Sequence, residues 1–387
     1  EGLLSNGNYG QGWLGENSIA AANASGNHDV RTYSAYVNLQ ADWKPLKGLN
    51  LNLMYAPEFS NGYNKLFLRT YKTYYGNGDL AYLYPSTTNS VTQKSIRDVT
   101  KNLHALLTYT TGFGQHHIKL LAGYEQIESS DESFSAERES LILQDYPVLN
   151  SGSLINQQAT GAGALEYGLV SYFGRVNYDF KEKYLLEANF RYDGSSRFAQ
   201  GKKFGLFPSF SAGWRISRED FLKDSRIIDN LKIRASWGRL GNQNIGYYPF
   251  ASSVDLNRSY VFNEAAVSGA AITQLGNPDI SWESTTMLNV GIDARFWKKF
   301  SLTAEYYIRN TSNILLTLPI PYSVGMDAPY QNAGKVRNTG WDLSIGYEDH
   351  AGDFRYGVDL VLSDVRNTIV DLKGTGPYID GVNIRAE

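Results

Sequence analysis

The chain has 387 residues, a net charge of -3 with a pI near 6.0, and no cysteine. This balance excludes bulk electrostatic attraction to nucleic acid or anionic lipid, and the missing thiols exclude disulfide scaffolds, zinc-thiolate sites and a cysteine nucleophile. With aromatics at 13%, tyrosine foremost among them, and charged residues at only 19%, the composition favours strands over helices.

The chain opens at EGLLSNGNYG, without Met and without the charged and apolar regions of a signal peptide, so a processed or incomplete chain is expected. No run approaches the roughly 20 apolar residues of a membrane-spanning helix. A period of two governs most of the chain. Uncharged residues alternate with polar ones at Tyr33 to Trp43, Leu49 to Tyr55, Leu103 to Tyr109, Ile118 to Tyr124, Val170 to Phe180 and Tyr184 to Tyr192. The pattern continues at Phe210 to Ile216, Leu231 to Trp237, Leu288 to Phe296, Phe300 to Ile308, Trp341 to Tyr347 and Phe354 to Leu362. Such alternation predicts about twelve strands, because successive side chains of a strand point to opposite faces.

The segment KYLLEANFRYD (183 to 193) states the problem most clearly. Tyr184, Leu186, Ala188, Phe190 and Tyr192 fall on one side, and Lys183, Glu187, Arg191 and Asp193 on the other. The uncharged face belongs against lipid or against a sandwich core, and both surfaces are swept free of charge. Connections alternate in length. Short turns fall at KPLKG, TGFGQHH, KEK, WKK and HAGD, with a longer one at 217 to 230; long polar loops fall at 58 to 96, 128 to 165, 194 to 204, 239 to 282 and 311 to 336. That meander is the outer-membrane barrel pattern. Aromatics such as Trp43, Tyr184, Trp214, Trp297 and Phe300 gather beside the short turns, where an interface would place them. Predicted strands of about 9 to 13 residues also match a tilted bilayer span. No fixed 20 to 50 residue repeat and no Pro-rich linker interrupts the pattern.

Six stretches are more specific: RYDGSSRF (191 to 198), FPSFSAGWRIS (207 to 217), LKIRASWGRLGNQ (231 to 243), GNPDISWEST (276 to 285), YYIRNTSNILLTLPIP (306 to 321) and NAGKVRNTGWDLSIGYE (332 to 348). Together, in this order, they resemble the SusC/RagA-type TonB-dependent outer-membrane transporters of Bacteroidetes. The resemblance is strongest from about Tyr167 to Tyr347; the first 165 residues fit in pattern only. It implies an all-β fold, a transmembrane antiparallel β-barrel of about 22 strands with a plugged lumen. Residues 1 to 387 would then be part of one barrel domain, an arc of about twelve strands. The plug, the TonB-contacting segment and the C-terminal strands are expected elsewhere in a longer protein, since GVNIRAE lacks a terminal aromatic strand. The implied function is energised import of a glycan fragment or peptide in the outer membrane. Implied partners are a SusD-like surface lipoprotein lid, the TonB complex and the bilayer, with no cofactor and no nucleic acid.

Loop aromatics beside amide side chains can stack on sugar faces and hydrogen-bond hydroxyls. The candidates are Tyr71, Tyr74, Tyr75, Tyr82, Tyr84, Tyr247, Tyr248, Trp282, Tyr322 and Tyr330; the competing role is packing of loop on loop or against the lid. Arg175, Glu187, Arg191, Arg215 and Arg234 are expected to face the lumen or plug, as an ion-pair network holding the wall. Asp279 and Glu283 in NPDISWE suggest metal or acid-base chemistry, but Asn277, Pro278 and Asp279 read better as a turn leading into a strand. His104, His116 and His117 lack zinc spacing. Ser195 and Ser196 lack a G-x-S-x-G setting. An enzyme of hydrolase type therefore ranks last. A soluble or surface-attached carbohydrate-binding β-sandwich remains the alternative, and it would press the uncharged faces against each other.

Overall fold

The computed structural model describes residues 2–12, 17–85, 88–373, 378–379 and 382–385. Gly381, Ala386 and Glu387 of GVNIRAE lie outside them. In chain order the strands are β1 (Gly26–Tyr36), β2 (Leu39–Leu46), β3 (Leu49–Leu68), β4 (Tyr71–Tyr74), β5 (Leu80–Tyr84), β6 (Ser90–Phe113) and β7 (His116–Glu139). Then come β8 (Gln158–Phe180), β9 (Tyr184–Ser195), β10 (Phe204–Arg215), β11 (Ile228–Asn242), β12 (Ser253–Phe262), β13 (Ala265–Gln274) and β14 (Glu283–Phe296). The last are β15 (Phe300–Ser312), β16 (Leu315–Thr317), β17 (Tyr330–Asn332), β18 (Lys335–Ala351) and β19 (Phe354–Asp371), before a short pairing of 378–379 with 382–385.

The chain divides into two compact units. One comprises residues 39–55, 102–127 and 167–387 and holds the wall, an antiparallel sheet in the order β2-β3-β6-β7-β8-β9-β10-β11-β14-β15-β18-β19. The sheet has thirteen strands among the described residues once β1 is counted, because the run predicted at Tyr33 to Trp43 is divided between β1 and β2, each of which pairs with β3. The registers place uncharged residues opposite one another: Tyr184 pairs Trp214, Ala188 pairs Phe210, Phe210 pairs Trp237, Leu288 pairs Ile308, and Tyr306 pairs Trp341. These side chains are not a core. Leu186 is 52% exposed, Phe190 53% and Phe210 54%, and the same holds along most of this face. A contiguous apolar surface of this extent marks an interface with lipid or protein, whereas a sandwich would have buried it.

The other unit comprises residues 1–38, 56–101 and 128–166. Within it β1 pairs Glu58–Leu68 of β3, and the hairpin β4–β5 stands apart as a two-stranded sheet. A seven-residue helix, α1 (Ser18–Ala24), is capped by Asn17, whose Oδ1 accepts from the backbone N–H groups of Ile19 and Ala20 at 3.0 Å each. Phe67, Val91 and Leu141 form a small buried cluster, and Asn89 fastens it by bonding both N–H and C=O of Leu141.

Two expectations change. The segments 58 to 96 and 128 to 165 contain long extensions of β3, β6, β7 and β8, so that β6 and β7 reach 24 residues each. Polar side chains occupy both faces of IESSDESFSAERE in β7, which hides its strand character from any hydrophobic period. The segment 239 to 282 likewise contains the end of β11 and a hairpin, β12–β13, whose turn residues Asn263 and Glu264 hold φ of 52° and 63°, the left-handed conformation of a two-residue hairpin loop.

Candidate functional site

The face of the wall opposite the apolar stripe carries three polar clusters. In the first, Arg191 on β9 donates from Nε to both oxygens of Asp193 (2.7 and 2.9 Å) and from a terminal nitrogen to Glu125 (2.7 Å) and Ser171 (2.8 Å). Its guanidinium lies 5.1 Å from the Phe173 ring centroid. Gly123 makes that arrangement possible, because a Cβ there would stand 2.3 Å from the Phe173 ring. In the second, Arg234 on β11 bonds Asp293 (3.1 Å) and Glu305, and Glu305 also accepts from Asn289 (2.8 Å). Gly291 sits directly across from Arg234 in the register, and a Cβ there would meet the guanidinium at 2.9 Å. In the third, Arg175 donates to Asn189 (2.6 Å), and Glu187 accepts from Asn177 (2.5 Å) and Asn189 (2.8 Å).

Cross-strand spacing explains the clusters. Arg175 stands opposite Asn189 and Asn177 opposite Glu187, at the roughly 5 Å spacing of directly opposed side chains, while Arg234 reaches diagonally to Asp293 and across Gly291 to Glu305. Arg215 does not join them. It sits at the short-turn end, where its side chain donates to the carbonyl of Glu182 at 3.5 Å.

At the other end of the same unit, the DGSSRF stretch ties several loops together. The Ser195 hydroxyl accepts from the N–H of Arg197 (3.1 Å), which forms a turn, and that of Ser196 accepts from the N–H of Gly168 (2.9 Å), which ties the loop to β8. Arg197 lies between the rings of Tyr167 (4.9 Å) and Tyr247 (5.1 Å) and donates to the carbonyls of Gln243 and Ile245. Phe198, Phe207, Ile245, Ile280 and Trp282 then form the unit's buried hydrophobic cluster. Trp282 is 9% exposed and its indole N–H donates to the carbonyl of Lys203 (2.8 Å). Phe198 and Phe207 lie against its ring at centroid distances of 5.2 and 5.3 Å. Tyr330 packs on the same cluster, while Tyr248 is exposed and Tyr322 fully so.

The remaining tyrosines belong to the unit with β4–β5. Tyr71 is buried and stacks on Tyr84 at 5.4 Å. Tyr82 packs on Tyr84 at 6.0 Å, Tyr74 is half-buried with its backbone bonded to Tyr9 and Gln11, and Tyr75 and Tyr82 expose their rings. Sequence reading missed Arg197 and Gln243, which lie just past the ends of β9 and β11, and Tyr167, which lies within the extended part of β8, where no periodicity flags them. The only signal is a lone arginine beside aromatic-rich segments.

The weaker motifs resolve into structure. Asn277 Oδ1 accepts from the N–H of Asp279 (3.1 Å), which makes the predicted turn, and Glu283 accepts from Asn242 and from the N–H of Leu315. His116 lies against Phe180 at 4.6 Å and bonds the Tyr178 hydroxyl; His117 is 3.7 Å from Asp179, and His104 packs near Phe173. In the long turn after β10, Glu219 folds back on the rim. Its carboxylate accepts from Tyr184 (2.7 Å), Trp214 (3.0 Å) and Lys183 (3.0 Å), and those bonds hold its pKa down at about 2.

Comparison with known proteins agrees with this geometry. The family described as TonB dependent receptor-like, beta-barrel matches residues 2–383. TonB-dependent receptor P3 of Formosa agariphila is 32% identical over 309 residues, which is 78% of this chain and 29% of that receptor. TonB-dependent receptor SusC of Bacteroides thetaiotaomicron is 29% identical over 351 residues, 87% of this chain and 33% of that protein. Among solved structures, the RagAB peptide importer in its open-open state superposes with a TM-score of 0.83 at 25% identity, covering 98% of this chain and 41% of that one. The chain thus spans about a third of the length of the curated relatives it matches.

Proposed function

The chain belongs to the TonB-dependent receptor-like β-barrel family of the outer membrane, and from that premise we propose that it forms part of the barrel wall of a SusC/RagA-like nutrient importer. The observation that carries this reading is the division of the wall into two faces. One is uncharged and exposed, suited to lipid; the other is laced with ion pairs centred on Arg191 and Arg234, suited to a hydrated lumen or a plug. The paired charges around Arg191 and Arg234 keep that side of the wall polar.

Substrate in this reading is a glycan fragment or a peptide. Tyr75 and Tyr82 in one unit, and Tyr248 and Tyr322 in the other, expose rings that can stack on it. Tyr74, Tyr84, Tyr247 and Tyr330 act behind them by holding the loops. The RagAB neighbour is described as a peptide importer, which keeps peptides beside glycans as cargo. A SusD-like lipoprotein would cover the long-loop end, and the TonB complex would act through the part of the protein preceding this chain. The carbohydrate-binding sandwich loses its support, because the faces it would bury are exposed.

The test is a strain lacking the full-length protein, grown on single polysaccharides or peptides as sole carbon or nitrogen source. Loss of growth on one nutrient class, restored by the wild-type gene and not by a copy unable to engage TonB, is the expected result. Undiminished growth on every nutrient tried contradicts it.

A further inference from the structure

We propose that the short-turn rim of the wall binds anionic phospholipid at two places, the β8–β9 turn and the β14–β15 turn, with the exposed ammonium groups of Lys181 and Lys298 meeting the lipid phosphate. The chain's net charge gives no general attraction to such lipids, so recognition has to be local. Both turns are three-residue connections, each closed by one backbone bond, from the N–H of Lys183 to the carbonyl of Phe180 and from that of Lys299 to that of Phe296, each 3.0 Å. Their central residues hold φ of 57° and 51° (Lys181, Glu182) and of 50° and 57° (Trp297, Lys298). Asn-Gly is the relaxed choice for this turn. The chain keeps bulky and cationic residues there, and in each turn an aspartate, Asp179 or Asp229, accepts from the N–H of the second central residue. Residues held in costly backbone conformations by such supports are candidates for function.

Each turn adjoins a ladder of rings that prolongs the lipid-facing stripe. At the first, Phe113, His116, Phe180 and Tyr184 succeed one another at centroid spacings of 4.9, 4.6 and 6.2 Å. At the second, Trp297, Phe300, Tyr347 and Tyr356 do so at 6.0, 4.6 and 6.2 Å, over an open groove of about 580 Å³ lined by Trp297, Lys299, Phe300 and Tyr347. Rings of this kind occupy the headgroup level of a bilayer. A cation just beyond them stands where phosphates lie.

In both turns one lysine is already neutralised, Lys183 by Glu219 (3.0 Å) and Lys299 by Asp349 (2.6 Å). Among the described residues Lys181 and Lys298 have no carboxylate in ion-pair range, and Glu182 beside Lys181 is engaged by Arg218. Lys298 shares a groove with Glu348 and Asp353, so the Lys181 site is the tighter of the two. Phospholipid is the occupant, because the site continues the surface on which the bilayer already rests, and a freely diffusing phosphate would gain nothing from the rings.

The full-length protein, purified in detergent and given equal phosphatidylglycerol and phosphatidylcholine of matched chains, is assayed for retained lipid by native mass spectrometry. The wild type should prefer phosphatidylglycerol. Lys181→Gln with Lys298→Gln should erase most of that preference, by about fivefold per lysine for a cation at an anionic membrane surface, the Lys181→Gln single change having the larger effect. Lys203→Gln, in the same unit at the end that carries DGSSRF, should leave it intact, and the wild-type preference should shrink at high salt. Equal retention of both lipids by the wild type, or an unchanged preference in the double variant, overturns the proposal. Neither outcome depends on transport, so the lipid sites and the import reading fail separately.

Discussion

The wall and the loop cluster behind DGSSRF use apolar side chains in opposite ways. On the wall, Leu186, Phe190 and Phe210 stay half-exposed and pack against their cross-strand neighbours, so their stability depends on a solvent of lipid. In the cluster, Phe198 and Ile280 are completely enclosed by protein, and the cluster would hold in water. One kind of residue therefore serves two environments within one unit, and substitutions should tell them apart.

The largest effect is expected in the cluster. Phe198→Ala should cost about 3 to 5 kcal/mol of local stability, as a cavity in a packed core does. Limited proteolysis of the folded full-length protein should then cut within residues 243–282, while the heat-modifiable gel mobility of a folded barrel persists. Loss of the barrel band as well would show that wall and cluster fold as one.

Next comes a contrast between neighbours on β11. Ala235 lies on the uncharged face, opposite Ala212 and Val290, and Ser236 lies on the other, opposite Ser211 and Asn289. Ala235→Arg should destabilise the protein by about 2 to 4 kcal/mol if that position is near the middle of the bilayer. Ser236→Arg should change stability by less than about 0.5 kcal/mol. Urea unfolding in phospholipid vesicles measures both.

The polar face provides a smaller effect. Arg234→Met strips a shared partner from Asp293 and Glu305 and should cost about 1.5 to 3 kcal/mol, the range for hydrogen bonds to charged groups. Combining it with Glu305→Gln should recover part of that loss, because one orphaned charge disappears. Strict additivity in the same urea assay would mean the two side chains do not interact.

The smallest effect belongs to the short-turn rim. Three donors lower the Glu219 carboxyl from its ordinary 4.5 to about 2. A depressed carboxyl contributes stability that is complete above the unfolded value and is lost as pH falls through the folded one. Trp214 fluorescence should therefore stay constant down to about pH 4 and change as the pH approaches about 2. Glu219→Gln should abolish that titration. A transition centred near 4.5 in the wild type would show that the bonds from Tyr184 and Trp214 are absent in solution.

The same contrast explains what the sequence revealed. The wall was legible because lipid and lumen impose opposite demands on successive residues: the runs from Leu49 to Leu362 fall on strands of the sheet, whereas the run from Tyr33 to Trp43 is divided between β1 and β2. The extensions of β6 and β7 were not legible, since both of their faces tolerate polar side chains and no period survives. The functional residues divide similarly. Arg191 and Arg234 could be assigned to the polar face from alternation alone. Trp282 could not be separated from the exposed loop tyrosines, because its burial depends on Phe198 and Phe207, distant in sequence and brought together only by the β9–β10 and β11–β14 pairings. Arg197 gave no periodic signal at all, being placed by Tyr167 and Tyr247 across three separate segments.

The central claim concerns which solvent the uncharged face meets. This chain has no native cysteine, so single cysteines can be introduced along residues 184–193 once any thiols elsewhere in the full-length protein are replaced. With a nitroxide at each site in vesicles, collision with oxygen should peak at residues 184, 186, 188, 190 and 192, and collision with a water-soluble nickel chelate at the residues between. Nickel access at every position, or protection from both reagents on the uncharged side, would contradict a wall bathed in lipid.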